Sequence, residues 1–155
     1  LLIAWAISTA AAREVPTVRV TSDDAAISRS CVIVIPVDAV IEDLNGNGVI
    51  QITAPNVEVT FAAGSCLRGS PKDRRPDEYK GYGIRIDGQS NVTIKGVRVS
   101  GFWGGLWATK ADGLTLDRVD ASDNRRAYLK STPAAEDSGD WLFPHDNDEN
   151  QWLLN

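Results

Sequence analysis

The chain is predicted to fold as an all-β coil of short parallel strands with a repeat of about 22 residues, and three observations predict it. The first is that the stretch 83–124 is one unit written twice. Ile84 is answered by Leu106, Val92 by Leu114, Ile94 by Leu116 and Val97 by Val119, each 22 positions further on. A fixed period in the range of ~20–50 residues marks repeat architectures. The second is alternation inside each unit, at Ile84/Ile86, Val92/Ile94 and Val97/Val99, which is the period of a strand and not of a helix. With no helical pattern between them, the strands fit a coil of three per turn. The third is a column of turn residues. Asn56, Asn91 and Gly113 stand immediately before strands starting at Val57, Val92 and Leu114. Asn and Gly tolerate the left-handed backbone region that a tight bend requires.

These repeats resemble the rungs of right-handed parallel β-helices, the fold of pectin-lyase-like proteins. The resemblance implies interior ladders, with Ile84 stacked on Leu106 and Val92 on Leu114 at the ~4.8 Å spacing of neighbouring strands. It also implies that one outer strand face carries a substrate groove. Rungs are expected near 31–45, 48–68, 83–104 and 105–126.

Taken in order, residues 1–12 (LLIAWAISTAAA) are apolar and end in small side chains. They read as the apolar region and cleavage site of a signal peptide lacking its basic start; the alternative is a buried N-terminal strand or helix. A membrane span needs roughly 20 apolar residues, more than this run supplies. The expectation is export, to the periplasm, cell surface or medium. Residues 13–30 are expected to cap the coil, with Thr17–Thr21 a strand and 22–27 (Ser-Asp-Asp-Ala-Ala-Ile) starting a short helical turn. The segment from Cys31 aligns with that from Val57 at an offset of 26, placing Ile33 on Val59, Ile35 on Phe61 and Val40 on Cys66. The next offset is about 35, and its excess over 22 is a 13-residue insertion at 69–81, polar and with two prolines. Insertions in repeat proteins map to surface loops. The β-helix is expected to occupy 31–130. Residues 131–155 carry six acidic side chains and no Lys or Arg; they read as a long acidic loop leading to further rungs, so the fold is expected to be incomplete at the C-terminus.

The net charge of −5 argues against a nucleic-acid partner. Cys31 and Cys66 are compatible with a disulfide after export or with two free thiols in strands. Neither metal binding nor nucleophilic chemistry is expected of them.

The candidate chemistry lies in two places. If Ile84/Ile86 and Leu106/Ala108 point inward, Arg85/Asp87 and Trp107/Thr109 point outward, followed by Tyr128/Lys130. Arg85, Trp107 and Tyr128 then form one row, with Asp87, Thr109 and Lys130 beside it. Aromatic rings stack on the apolar faces of sugars, and charged groups take hydroxyls or carboxylates. The partner expected is therefore a polysaccharide; the alternative is a solvated face covered by 131–155. The second place is Phe143-Pro-His-Asp-Asn-Asp, which holds the single histidine. A histidine beside carboxylates suits proton transfer near neutral pH. Pro144, His145 and Asp146 are similar to a motif of mannuronan C5-epimerases, which are themselves β-helices. That resemblance implies catalytic roles for His145 and Asp146, although Phe143 stands where that family has an Asp.

No cofactor is required by these residues, and Ca²⁺ is the candidate. Asp146, Asp148 and Glu149 form an acidic cluster able to hold it, and some polyuronate lyases of the β-helix fold use Ca²⁺ to bridge acidic substrate to acidic protein. The run from Asp43 through Asn45 and Asn47 to Gly48 is like the start of a calcium loop, but position twelve is Ala54 where a bidentate Glu is needed. It reads as a turn. Two function classes remain: a carbohydrate-active lyase, epimerase or hydrolase, or a non-catalytic, adhesin-like scaffold.

Overall fold

The structure is a computed structural model that describes residues 14–128. Ten strands run through it: β1 (Thr17–Arg19), β2 (Ala25–Ile27), β3 (Cys31–Val34), β4 (Ile50–Ile52), β5 (Glu58–Phe61), β6 (Cys66–Arg68), β7 (Tyr82–Asp87), β8 (Thr93–Ser100), β9 (Gly104–Thr109) and β10 (Thr115–Asp120). The sole helical element among the described residues is one 3-10 turn, Pro76–Glu78. Every strand pairing is parallel. Sheet A has the order β1-β3-β5-β8-β10, with β6 beside the later half of β8, and sheet B the order β2-β4-β7-β9. The protein is thus all-β, and its chain visits the two sheets in turn, extending each with every pass.

The core lies between the sheets and is built from the alternating branched residues. Ile33, Ile50, Val59, Ile84, Ile86, Val92, Ile94 and Val99 are all completely buried. Each such side chain contributes roughly 1.5–3 kcal/mol relative to leaving it in water. The 22-residue register holds across the last two passes: Ile84 pairs with Leu106, Ile94 with Leu116 and Val97 with Val119.

Backbone conformation repeats more faithfully than residue type. Positive φ recurs 22 residues apart at Gly88 and Lys110, Asn91 and Gly113, Gly96 and Arg118, and Gly101 and Asp123. Asn56 (φ 57°), Asn91 (φ 53°) and Gly113 (φ 72°) form the turn column expected from their positions. The Asn91 side-chain amide donates to Asn56 Oδ1 at 3.1 Å, tying consecutive turns together. This amide ladder gives Asn91, the acceptor asparagine of an Asn-Val-Thr triplet, a structural use. At Gly96 and Arg118 the left-handed residue bends β8 and β10 in mid-strand, so that sheet A has two limbs.

Two expectations are corrected. β3 pairs with β5 at an offset of 28, Cys31 on Val59 and Ile33 on Phe61, and Val40 bridges to Arg68. The offset of 26 was two residues short. A slip of two leaves every side chain on its own face, so alternation alone cannot detect it. The helical turn expected at 22–27 is absent: Asp24 takes a left-handed φ of 66° and the chain continues directly into β2. The 13–30 segment contributes β1 and β2, the first strands of the two sheets.

The inserted loop 69–81 leaves β6 and enters β7. Arg74 pairs with Glu42 at 2.9 Å, and the carbonyl of Lys80 accepts from the Trp103 amide at 3.2 Å.

Candidate functional site

Strand register puts Gln51 on β4, Arg85 on β7 and Trp107 on β9 in one row across sheet B. Arg85 is partly exposed between the buried Ile84 and Ile86. Trp107 is partly exposed in register with it, but its neighbours are the half-buried Leu106 and the exposed Ala108, because β9 is the last strand of the sheet and no described strand covers it. The expected outward row is therefore present for these two residues. The Arg85 guanidinium lies 4.4 Å from the Trp107 ring centre and 3.4 Å from Asp87 Oδ2. Asp87 pairs in register with Thr109, as expected.

Two further rings join this row. Tyr82 meets Trp103 edge-on at 5.6 Å and Trp107 at 6.0 Å, and Trp103 is 53% exposed. Alternation hides Tyr82, because it shares the parity of the inward Ile84. Gly83 resets the pattern: both Gly83 and Ile84 are buried, and Tyr82 is left to the outer cluster. A Cβ on Gly83 would collide with the Val99 side chain, so glycine is what lets β7 make this shift.

Beside the rings is an open cleft of about 280 Å³ lined by Asn47, Gln51, Thr53, Arg85, Asp87 and Gln89. Its amides are organised by Asp24, which accepts from Asn47 Nδ2 at 2.7 Å, Gln51 Nε2 at 3.0 Å and Asn45 Nδ2 at 3.3 Å. The Asn47 bond, then the Asn45 bond, hold the Asp24 carboxyl below the usual carboxylate range against the opposing effect of desolvation, with a lesser contribution from the Gln51 bond. Asp43, the first residue of the calcium-like loop, is buried. Its oxygens accept from the backbone amides of Gly46 (2.8 Å), Gly48 (3.1 Å) and Tyr82 (2.7 Å). It is a turn carboxylate, as the missing Glu implied, and through the Tyr82 amide it fixes the start of β7. Gly48 passes beneath the row, where a Cβ would come within 2.8 Å of Arg85 Cβ.

Tyr128 is half-buried, with the Arg75 guanidinium of the inserted loop 5.1 Å from its ring centre. Lys130, His145, Asp146, Asp148 and Glu149 lie outside the described residues. Among the described residues no cluster of three His, Cys, Asp or Glu side chains could hold a metal ion. Cys31 and Cys66 are free thiols, and burial pushes the Cys31 thiol up more than Arg29 pulls it down. No described helix is long and apolar enough to cross a membrane.

The fold and site together define an all-β protein of parallel strands with an aromatic and amide-rich outer face. Comparison with protein-family models, curated proteins and solved structures finds no match to the chain.

Proposed function

We propose that the chain is part of a right-handed parallel β-helix of the pectin-lyase-like kind, exported, whose sheet B outer face binds a polysaccharide. The alternating passes through two sheets, one of them bent into two limbs, fit a three-sided coil. The observation that carries the functional reading is the row Arg85–Trp107, flanked by Tyr82 and Trp103 and by the amide cleft. Rings present flat apolar surfaces for stacking, while amides and carboxylates at fixed spacing suit hydroxyl groups. The face itself holds Asp24 and Asp87 against Arg85, so it favours a hydroxyl-rich chain over a strongly anionic one.

Binding without chemistry at this face is favoured by how its charged groups are used. Asp24 is occupied by three amides and Arg85 by Trp107 and Asp87. Groups so engaged orient a ligand rather than transfer its protons. An epimerase, lyase or hydrolase reaction would rest on residues such as His145 and Asp146.

The test is affinity electrophoresis and calorimetric titration of the chain against neutral glycans, pectate and alginate, with a product assay in parallel. Binding that falls at least about tenfold in Trp107→Ala, with the fold retained and stability lowered by no more than ~1–2 kcal/mol, supports the face. Absence of binding to all of these polymers would overturn it.

A further inference from the structure

A second site stands where the inserted loop leaves β6. A pocket of about 210 Å³ is lined by Arg68, Ser70, Lys72, Tyr79, Arg98 and Asp123, among others. Three cations thus face one carboxylate. Arg98 is already neutralised, by Asp123 and by Asp120 at 3.6 Å. Among the described residues, Arg68 and Lys72 have no ion-pair partner. Between them in sequence stands Ser70, only 2% exposed, whose hydroxyl makes no hydrogen bond. Buried hydroxyls are ordinarily paired, so an unpaired one beside two uncompensated cations calls for a ligand. That ligand must be anionic and must accept hydrogen bonds. The volume lies below the ~300–1,000 Å³ of ordinary small-molecule sites, which limits it to a small group.

We propose that this pocket binds an oxyanion, the carboxylate or sulfate group of a small molecule or sugar acid. Arg68 supplies a planar fork of donors, Lys72 a mobile point charge and Ser70 a hydroxyl donor. The Arg98–Asp123–Asp120 group forms the far wall and keeps the pocket from being neutralised by Asp123 alone. The pocket shares no lining residue with the sheet B cleft, and none of Tyr82, Trp103 and Trp107 lines it.

The experiment is calorimetric titration of the chain with sodium sulfate, inorganic phosphate, galacturonate and neutral galactose, at fixed ionic strength in chloride. One saturable site per chain is expected for at least one oxyanion and none for galactose. Lys72→Gln, at an exposed loop position, should weaken it about tenfold, the loss of one charge-assisted contact. Ser70→Ala should weaken it severalfold without lowering the melting temperature, whereas a hydroxyl serving only the fold would lower it. Tighter galacturonate assigns a sugar acid and tighter sulfate or phosphate an inorganic group, and both support the pocket. No saturable binding, equal binding of galactose, or unchanged affinity in both Lys72→Gln and Arg68→Gln overturns it. Trp107→Ala should leave this binding unaltered, which separates failure here from failure of the polysaccharide face.

Discussion

The guanidinium of Arg85 stands 4.4 Å from the centre of the Trp107 ring, one strand away in the same register. Cation–π pairs at partly exposed positions contribute ~0.5–1 kcal/mol. Arg85→Gln is therefore expected to reduce stability in urea unfolding by about that amount and to change the tryptophan fluorescence. A loss above ~3 kcal/mol would instead mark Arg85 as a packing residue.

Lys110 and Arg118 occupy left-handed conformations (φ 49° and 52°) where the preceding repeat has Gly88 and Gly96. A side chain there costs roughly 1–2 kcal/mol, offset in part by the greater unfolded freedom of glycine. Lys110→Gly and Arg118→Gly are each expected to stabilise by about 0.5–1 kcal/mol, read from denaturant midpoints. Destabilisation by either would show that its side chain makes a contact worth more than the strain.

The lowered carboxyl of Asp24 makes a prediction about acid. Its folded value lies below the ordinary 3.8, so its contribution is complete above that value and is lost as pH falls through the lower one. Asp24→Asn should flatten the acid limb of a melting-temperature profile below about pH 4. An acid limb unchanged by the substitution would mean that the three amides do not prefer the charged form.

The two thiols should differ in reactivity. Cys66 is partly exposed, while Cys31 is buried with its ionisation pushed upward. Since the thiolate is the reactive form, native protein should take one maleimide, at Cys66, and the second only on unfolding. Mass spectrometry of the labelled peptides checks this, and prompt labelling of Cys31 would contradict its burial.

Gly69 lies against the fully buried Phe102, whose ring a Cβ would overlap. Gly69→Ala should cost ~1–3 kcal/mol by overpacking. Combining it with Phe102→Leu should recover part of that loss, which a double-mutant cycle measures. Strict additivity of the two would show that the clash is relieved elsewhere.

Much of the strand framework was legible because it is written in period two. The pairs Ile84–Leu106 and Ile94–Leu116, and the turn residues Asn56, Asn91 and Gly113, follow directly from spacing and residue type. The offset between β3 and β5 was not legible, since a two-residue slip exchanges equivalent inward positions and only the length of the bends decides it. Tyr82 escaped because a glycine reverses the facing of the residues before it without altering the apparent alternation. Arg85, Asp87, Trp107 and Thr109 were found from parity alone. Asp24, Asn47 and Gln51 were not, because their meeting depends on loops of consecutive passes lying side by side. The oxyanion pocket had no signature at all: Arg68, Ser70 and Arg98 join only through the bend of sheet A.

The loop 69–81 lengthens one pass by 13 residues over the later period, yet β5 and β8 still pair in register on either side of it. Chain-closure entropy grows only logarithmically, about 0.6 kcal/mol per doubling of loop length. A corner of this fold is thus a place where new sequence can be tried at little thermodynamic risk. Both surfaces described here border that single corner, and a lineage could alter what they recognise by rewriting the loop while every buried isoleucine stays where it is.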